Sequence, residues 1–187
     1  MGRQMKEVYD EVYEHIHGYG VECVHKIEFI GKAFEGFDRS TRIIDVGCGQ
    51  GHYIRKLKGL NFENILGVDF SLVCSQNYLS DLEHVTADFL DYAKEIPDKE
   101  YEICLCMDVL EHIQILNLEI FLGNVYRISN IAFLGIANHS DIFLGEQLHV
   151  IQKDVEWWIQ RLKTYYNTVE KLFETASNTF FILKCYD

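Results

Sequence analysis

The sequence predicts a doubly wound α/β domain whose mostly parallel, seven-stranded sheet is closed by an antiparallel hairpin. Three observations carry this. From residue 42 onward short apolar runs alternate with helical segments, the order that builds a parallel sheet covered on both faces. Runs such as Ile103-Cys104-Leu105-Cys106-Met107 lack polar alternation, as strands buried on both sides do. The first run empties into a turn with glycine at 47, 49 and 51.

Residues 1–38 read as two helices, with Val8, Val12, Ile16 and Tyr19, then Val24, Ile27, Ile30 and Phe34, at helical spacing. Gly18 and Gly20 separate them, and Gly36 and Asp38 end the second. Arg42–Val46 is the first strand, followed by a helix near 51–59. Asn64–Val68 is the second, with Ser71 placed to cap the next helix. His84–Thr86 is a short third strand, before a helix near 89–95 and Pro97. Tyr101–Met107 is the fourth, a helix near 117–127 follows, and Ile131–Ala137 is the fifth. Asp154 begins an amphipathic helix over 153–164. Thr168–Glu174 and Thr179–Tyr186 form the closing hairpin. The arrangement is Rossmann-like, and ligands of such sheets sit at the carboxyl ends of the strands. One domain over 1–187 is expected: a helical segment (1–38), a core (39–137) and a terminal part (138–187).

Composition narrows the function. The net charge of −12 repels phosphate backbones, so nucleic acid is not expected as a partner. No apolar run approaches a membrane span, and the charged start lacks the pattern of a secretory signal. The six cysteines include no Cys-x-x-Cys pair, and they read as small buried residues of a cytoplasmic protein.

The main signal is Asp45-Val46-Gly47-Cys48-Gly49-Gln50-Gly51. Glycines allow a tight turn and close backbone approach. A dinucleotide site requires Gly-x-Gly-x-x-Gly, but His52 stands at the last position and Asp45 would repel a pyrophosphate. A ligand carrying an ammonium and a sulfonium would welcome that carboxylate. Aspartates also follow strands two, three and four, at Asp69, Asp88 and Asp108.

The glycine segment resembles the first motif of class I S-adenosylmethionine-dependent methyltransferases, and the likeness runs to about residue 137. It implies S-adenosyl-L-methionine as cofactor, with Asp45, Gly47, Cys48, Gly49 and Gly51 at its binding turn. Asp69 would accept both ribose hydroxyls, and Phe70 would flank the adenine. Asp88 would accept the adenine amino group, with Phe89 on the ring or in the core. Met107 and Asp108 would lie beside the methionine part. Asp108-Val109-Leu110-Glu111-His112 resembles the family's segment after the fourth strand, which makes Glu111 and His112 architectural or cofactor-side.

Past the fifth strand, Asn138–Ile151 is long for a connection and suits an acceptor loop. His149 and His139, with Asp108, are the candidate catalytic groups. His149 ahead of Trp157 and Trp158 resembles small methyltransferases of sugar and polysaccharide modification. His15 and His17 cannot share a helix face, and no metal site is expected, a divalent ion held by Asp and His in the acceptor loops being the lesser alternative. Tyr9, Tyr13, His15, His17 and Tyr19 crowd the N-terminal helices; the resemblance implies that this segment helps form the acceptor pocket, the alternative for aromatic residues at helical spacing being core or packing. The reading is methyl transfer to a small molecule or saccharide, at oxygen, in a chain that acts alone, as a homodimer or with a partner chain. The alternatives are a non-catalytic cofactor-binding module of the same fold and a dinucleotide-dependent oxidoreductase.

Overall fold

The structure, a computed structural model, describes residues 5–15 and 24–187. Ile16, His17, Gly18, Tyr19, Gly20 and Cys23 lie outside the described residues. The chain packs as two compact units, Met1–Phe89 and Leu90–Asp187. The seven-stranded sheet runs β3-β2-β1 in the first unit and β4-β5-β9-β8 in the second.

The first unit holds α1 (Met5–His15), α2 (Val24–Ala33), β1 (Ile43–Val46), α3 (His52–Gly59), β2 (Ile65–Asp69), α4 (Leu72–Tyr78) and β3 (His84–Thr86). Its three strands are parallel, with Asp45 opposite Gly67 and Asp69 opposite Thr86. All four residues of β1 are buried, as the unbroken run Ile-Ile-Asp-Val requires. Ile30, Phe34, Ile54, Leu57 and Phe62 are buried in the same unit, Phe34 meeting Phe62 edge-on at 5.9 Å. Helix α1 packs on α4, and α2 on α3.

A short helix, α5 (Phe89–Tyr92), and a 3-10 turn follow β3. That turn stops at Ile96, which is extended because Pro97 disfavours helical backbone before it. The second unit continues with β4 (Tyr101–Met107), α6 (Leu118–Ile128), β5 (Ser129–Ala137), α7 (Val155–Leu162), β8 (Thr168–Glu174) and β9 (Phe180–Tyr186). The pair β6 (Ile142–Phe143) and β7 (Glu146–Gln147) lies within the stretch expected to be a plain loop. β4 and β5 are parallel, while β9 runs antiparallel between β5 and β8. The pairing of β8 shifts register between Lys171 and Phe173.

β5 starts two residues earlier than the sequence suggests. Ser129, completely buried, is absorbed because its hydroxyl donates to Val125 O at 2.8 Å. Trp158 is buried, whereas Trp157 is half-buried under the Arg161 guanidinium at 4.5 Å. No helix of the described residues is long and apolar enough to cross a membrane.

Asp154 caps α7, its carboxylate accepting from Trp157 N at 2.9 Å. Asp154→Ala should lower the unfolding free energy by about 1 kcal/mol. Urea denaturation checks this: the midpoint should fall with the m-value unchanged.

Candidate functional site

In the first unit the glycine turn folds back on its own sheet. Gly47, Gly49 and Gly51 have φ of 72°, 50° and 76°, a region that side chains disfavour. The N–H groups of Gly47 and Cys48 donate to Val68 O, at 2.8 and 3.2 Å, and that of Gly51 donates to Cys48 O at 2.8 Å. Gly49 N donates to Asp69 Oδ2 at 2.9 Å. A phosphate would need such donors aimed outward. These four are committed inward, so this turn is a poor pyrophosphate cradle. The glycines differ in what they allow. A Cβ on Gly49 would stand 2.9 Å from the Tyr13 hydroxyl of α1, whereas one on Gly51 would stand 2.5 Å from Leu82 and 2.9 Å from Leu79. Gly51 therefore makes room for apolar packing, and Gly49 for the close approach of polar groups.

The turn surrounds two buried carboxylates. Asp45 is 1% exposed, and its Oδ2 has no hydrogen-bond partner among the described residues. Burial, and then the neighbouring Asp69 charge, raise its pKa to about 8. Burial also raises that of Asp69, against the lowering effect of the N–H groups of Ser71 and Gly49. Ser71 N donates to Asp69 Oδ1 at 2.8 Å, and the Ser71 hydroxyl caps α4 by accepting from Cys74 N at 3.1 Å. That hydroxyl donates in turn to Asp10 of α1 at 2.5 Å, a contact no motif advertised. Phe70 is half-buried and meets Tyr9 edge-on at 5.7 Å. Cys48 and Phe89 are buried, and Asp88 is exposed.

These residues fit a cationic nucleoside. A buried carboxylate without a partner is costly, and a cation relieves that cost. The ammonium and sulfonium of S-adenosylmethionine are such groups. Both oxygens of Asp69 keep a lone pair beyond their N–H bonds, so they can accept ribose hydroxyls.

The second unit carries Met107, Asp108, His139 and His149. Met107 is buried, and Gly135 makes room for it: a Cβ there would stand 2.8 Å from its sulfur. Asp108 follows with φ of 55°, uncommon for a non-glycine residue, and its N–H donates to Gly135 O at 2.9 Å. Glu111 is fully buried and accepts from Ala137 N at 3.0 Å, which ties the turn after β4 to the end of β5. His149 is buried and pairs through Nδ1 with His139 O at 2.7 Å. His112 pairs through Nδ1 with Leu148 O at 3.1 Å. The rings of His112 and His139 lie 4.6 and 4.7 Å from that of His149. Asp141 Oδ2 is 3.7 Å from His149 Nε2. Burial, helped by His149, drives the pKa of His112 down to about 3, and burial lowers that of His149 as well. Both rings are therefore neutral at physiological pH. His112 belongs to the cluster that the sequence reading had centred on His149 and His139.

A family model described as a methyltransferase domain matches residues 13–170. A search of the curated proteins finds no match. Among solved structures, the chain is similar to a SAM-dependent methyltransferase from Archaeoglobus fulgidus, with TM-score 0.70 and 16% identity over 98% of this chain and 100% of that one. It is also similar to a chain of the complex formed by the Haloferax volcanii Trm112 methyltransferase activator, with TM-score 0.73 and 10% identity over 95% of this chain and 96% of that one. A third likeness is the N-terminal domain of EvdMO1 with SAH bound, with TM-score 0.63 and 16% identity over 87% and 79%. At such identities these likenesses show the fold.

The raised pKa of Asp45 has a consequence for stability without ligand. The folded carboxyl titrates near 8 against 3.8 unfolded, so its contribution is whole below about pH 4 and is lost as pH rises through 8. Asp45→Asn should remove up to about 1.4 kcal/mol per pH unit from the slope of stability across that window. Urea titrations at a series of pH values measure it, and equal slopes would refute it.

Proposed function

The chain belongs to the family of S-adenosylmethionine-dependent methyltransferase domains, and from that premise we propose that it methylates an oxygen of a small molecule or saccharide. The observation that carries the reading is the neutral, buried His149 with its Nδ1 tied to the His139 carbonyl. That bond leaves the Nε2 lone pair to take a proton from an acceptor hydroxyl. The cofactor supplies an activated methyl group, and the protein supplies alignment and desolvation. His139, Asp141 and Asp108 support the imidazole, the last two by favouring its charged form. Asp45, Asp69 and the turn at 47–51 would hold the cofactor, with Phe70, Asp88, Phe89, Met107 and Asp108 completing the set that the resemblance assigns. A saccharide acceptor is supported by the polar and aromatic character of this cluster, and a cytoplasmic setting by the five buried cysteines of the described residues, none of which is in a disulfide. Exposed Ile115, Leu116 and Ile120 offer apolar surface to a second copy or a partner chain.

His149→Ala should collapse turnover on a panel of glycans and metabolites while leaving donor affinity intact in calorimetric titration. Undiminished turnover would remove His149 from the mechanism. Asp69→Ala should weaken donor binding by roughly 1.5–3 kcal/mol per charged hydrogen bond lost. Calorimetry on folded protein checks it, and an unaltered affinity would count against the ribose assignment.

A further inference from the structure

We propose that Glu111, His112 and His149 form a binding site for a first-row divalent metal ion of the zinc type, with an oxygen ligand completing the coordination. One donor atom from each lies within 4.8 Å of the others. Two imidazoles and one carboxylate are a donor set that leaves coordination positions open, as in hydrolytic zinc and non-haem iron centres. The nitrogen ligands favour zinc, cobalt or nickel over magnesium and calcium.

The hydrogen bonds around the rings point the same way. Each imidazole engages a backbone carbonyl through Nδ1, His112 to Leu148 and His149 to His139. A carbonyl only accepts, so Nδ1 carries the proton and Nε2 the lone pair. Metal-binding histidines are held by this outer arrangement, which fixes both tautomer and ring orientation.

Asp141 adds a further sign. Its Oδ2 lies 3.7 Å from His149 Nε2. A lone pair facing a carboxylate at that range is unfavourable, and a shared cation makes it attractive. Ligands about 2.0–2.2 Å from one ion stand roughly 3–3.5 Å apart, so the widest separation, up to 4.8 Å, closes by roughly 1.3–1.8 Å on binding.

The identity of the oxygen ligand rests on the proposed function, since an acceptor hydroxyl would take the open position and be acidified there. The ion would then occupy the nitrogen otherwise read as the base. Metal binding itself rests on neither donor nor acceptor, which lets the two ideas fail separately.

The test uses the full, tag-free chain, freed of metal by a chelator and titrated with Co²⁺ alone. The visible spectrum should report one bound ion per chain, displaced by Zn²⁺ but not by Mg²⁺. Glu111→Gln and His149→Gln should each weaken binding by more than about tenfold, at least the loss seen when an outer partner is removed. His84→Ala, at a histidine of the first unit outside the cluster, should leave it unchanged. A thermal melt confirms that each variant is folded, and should Glu111→Gln unfold, His149→Gln carries the test. Absence of a cobalt spectrum, or equal affinity in His149→Gln and the parent, overturns the proposal. Donor binding without cobalt binding would leave the methyltransferase reading standing, and cobalt binding with no turnover on any acceptor would strike only at that reading.

Discussion

The carboxylate of Asp69 joins the glycine turn, 20 residues earlier, to the entry of α4, and Ser71 extends the link to α1. One oxygen holds the glycine turn through Gly49 N, and the other holds the entry to α4 through Ser71 N. Ser71 passes the connection to α4 by capping it and to α1 through Asp10. The backbone of the turn, the cap and the first helix therefore share one anchor. Because that anchor is buried with Asp45 nearby, the two carboxylates disfavour each other's charge, and Asp45 keeps its proton until a cation offsets the cost. A cationic ligand meets an electrostatic vacancy as well as a shape.

The second unit follows a different logic. Its buried groups are neutral imidazoles whose tautomers are dictated by backbone carbonyls, and Glu111 is the side chain that locks the turn after β4 to the end of β5. The left-handed backbone at Asp108 belongs to the same turn. Strain is tolerated where surrounding bonds over-determine the chain, and such places recur at functional sites. Alignment of reacting groups rests on such rigidity.

The sheet, its order of elements and the glycine turn were legible because each rests on local chemistry: buried runs, caps and residues that admit positive φ. The hairpin β6–β7 escaped notice because its turn uses Leu144-Gly145. Both residues are left-handed, with φ of 49° and 85°, but the first is not the asparagine or aspartate that usually signals such a turn. Gly51 looked like its neighbours in the motif, although Leu79 and Leu82 explain it. The meeting of His112 with His149 joins residues that follow different strands, and no spacing rule reports it. The link from Asp10 to Ser71 spans 61 residues and was equally invisible.

The edge of the sheet at β8 bears on how copies of this chain can meet. Its register break between Lys171 and Phe173 interrupts the ladder, and Glu170, Lys171 and Glu174 place charges along it. An incoming strand would find neither a continuous row of free amides nor an uncharged border. Self-association by strand addition is thereby discouraged at this edge, and a partner is steered towards side-chain contacts on other faces.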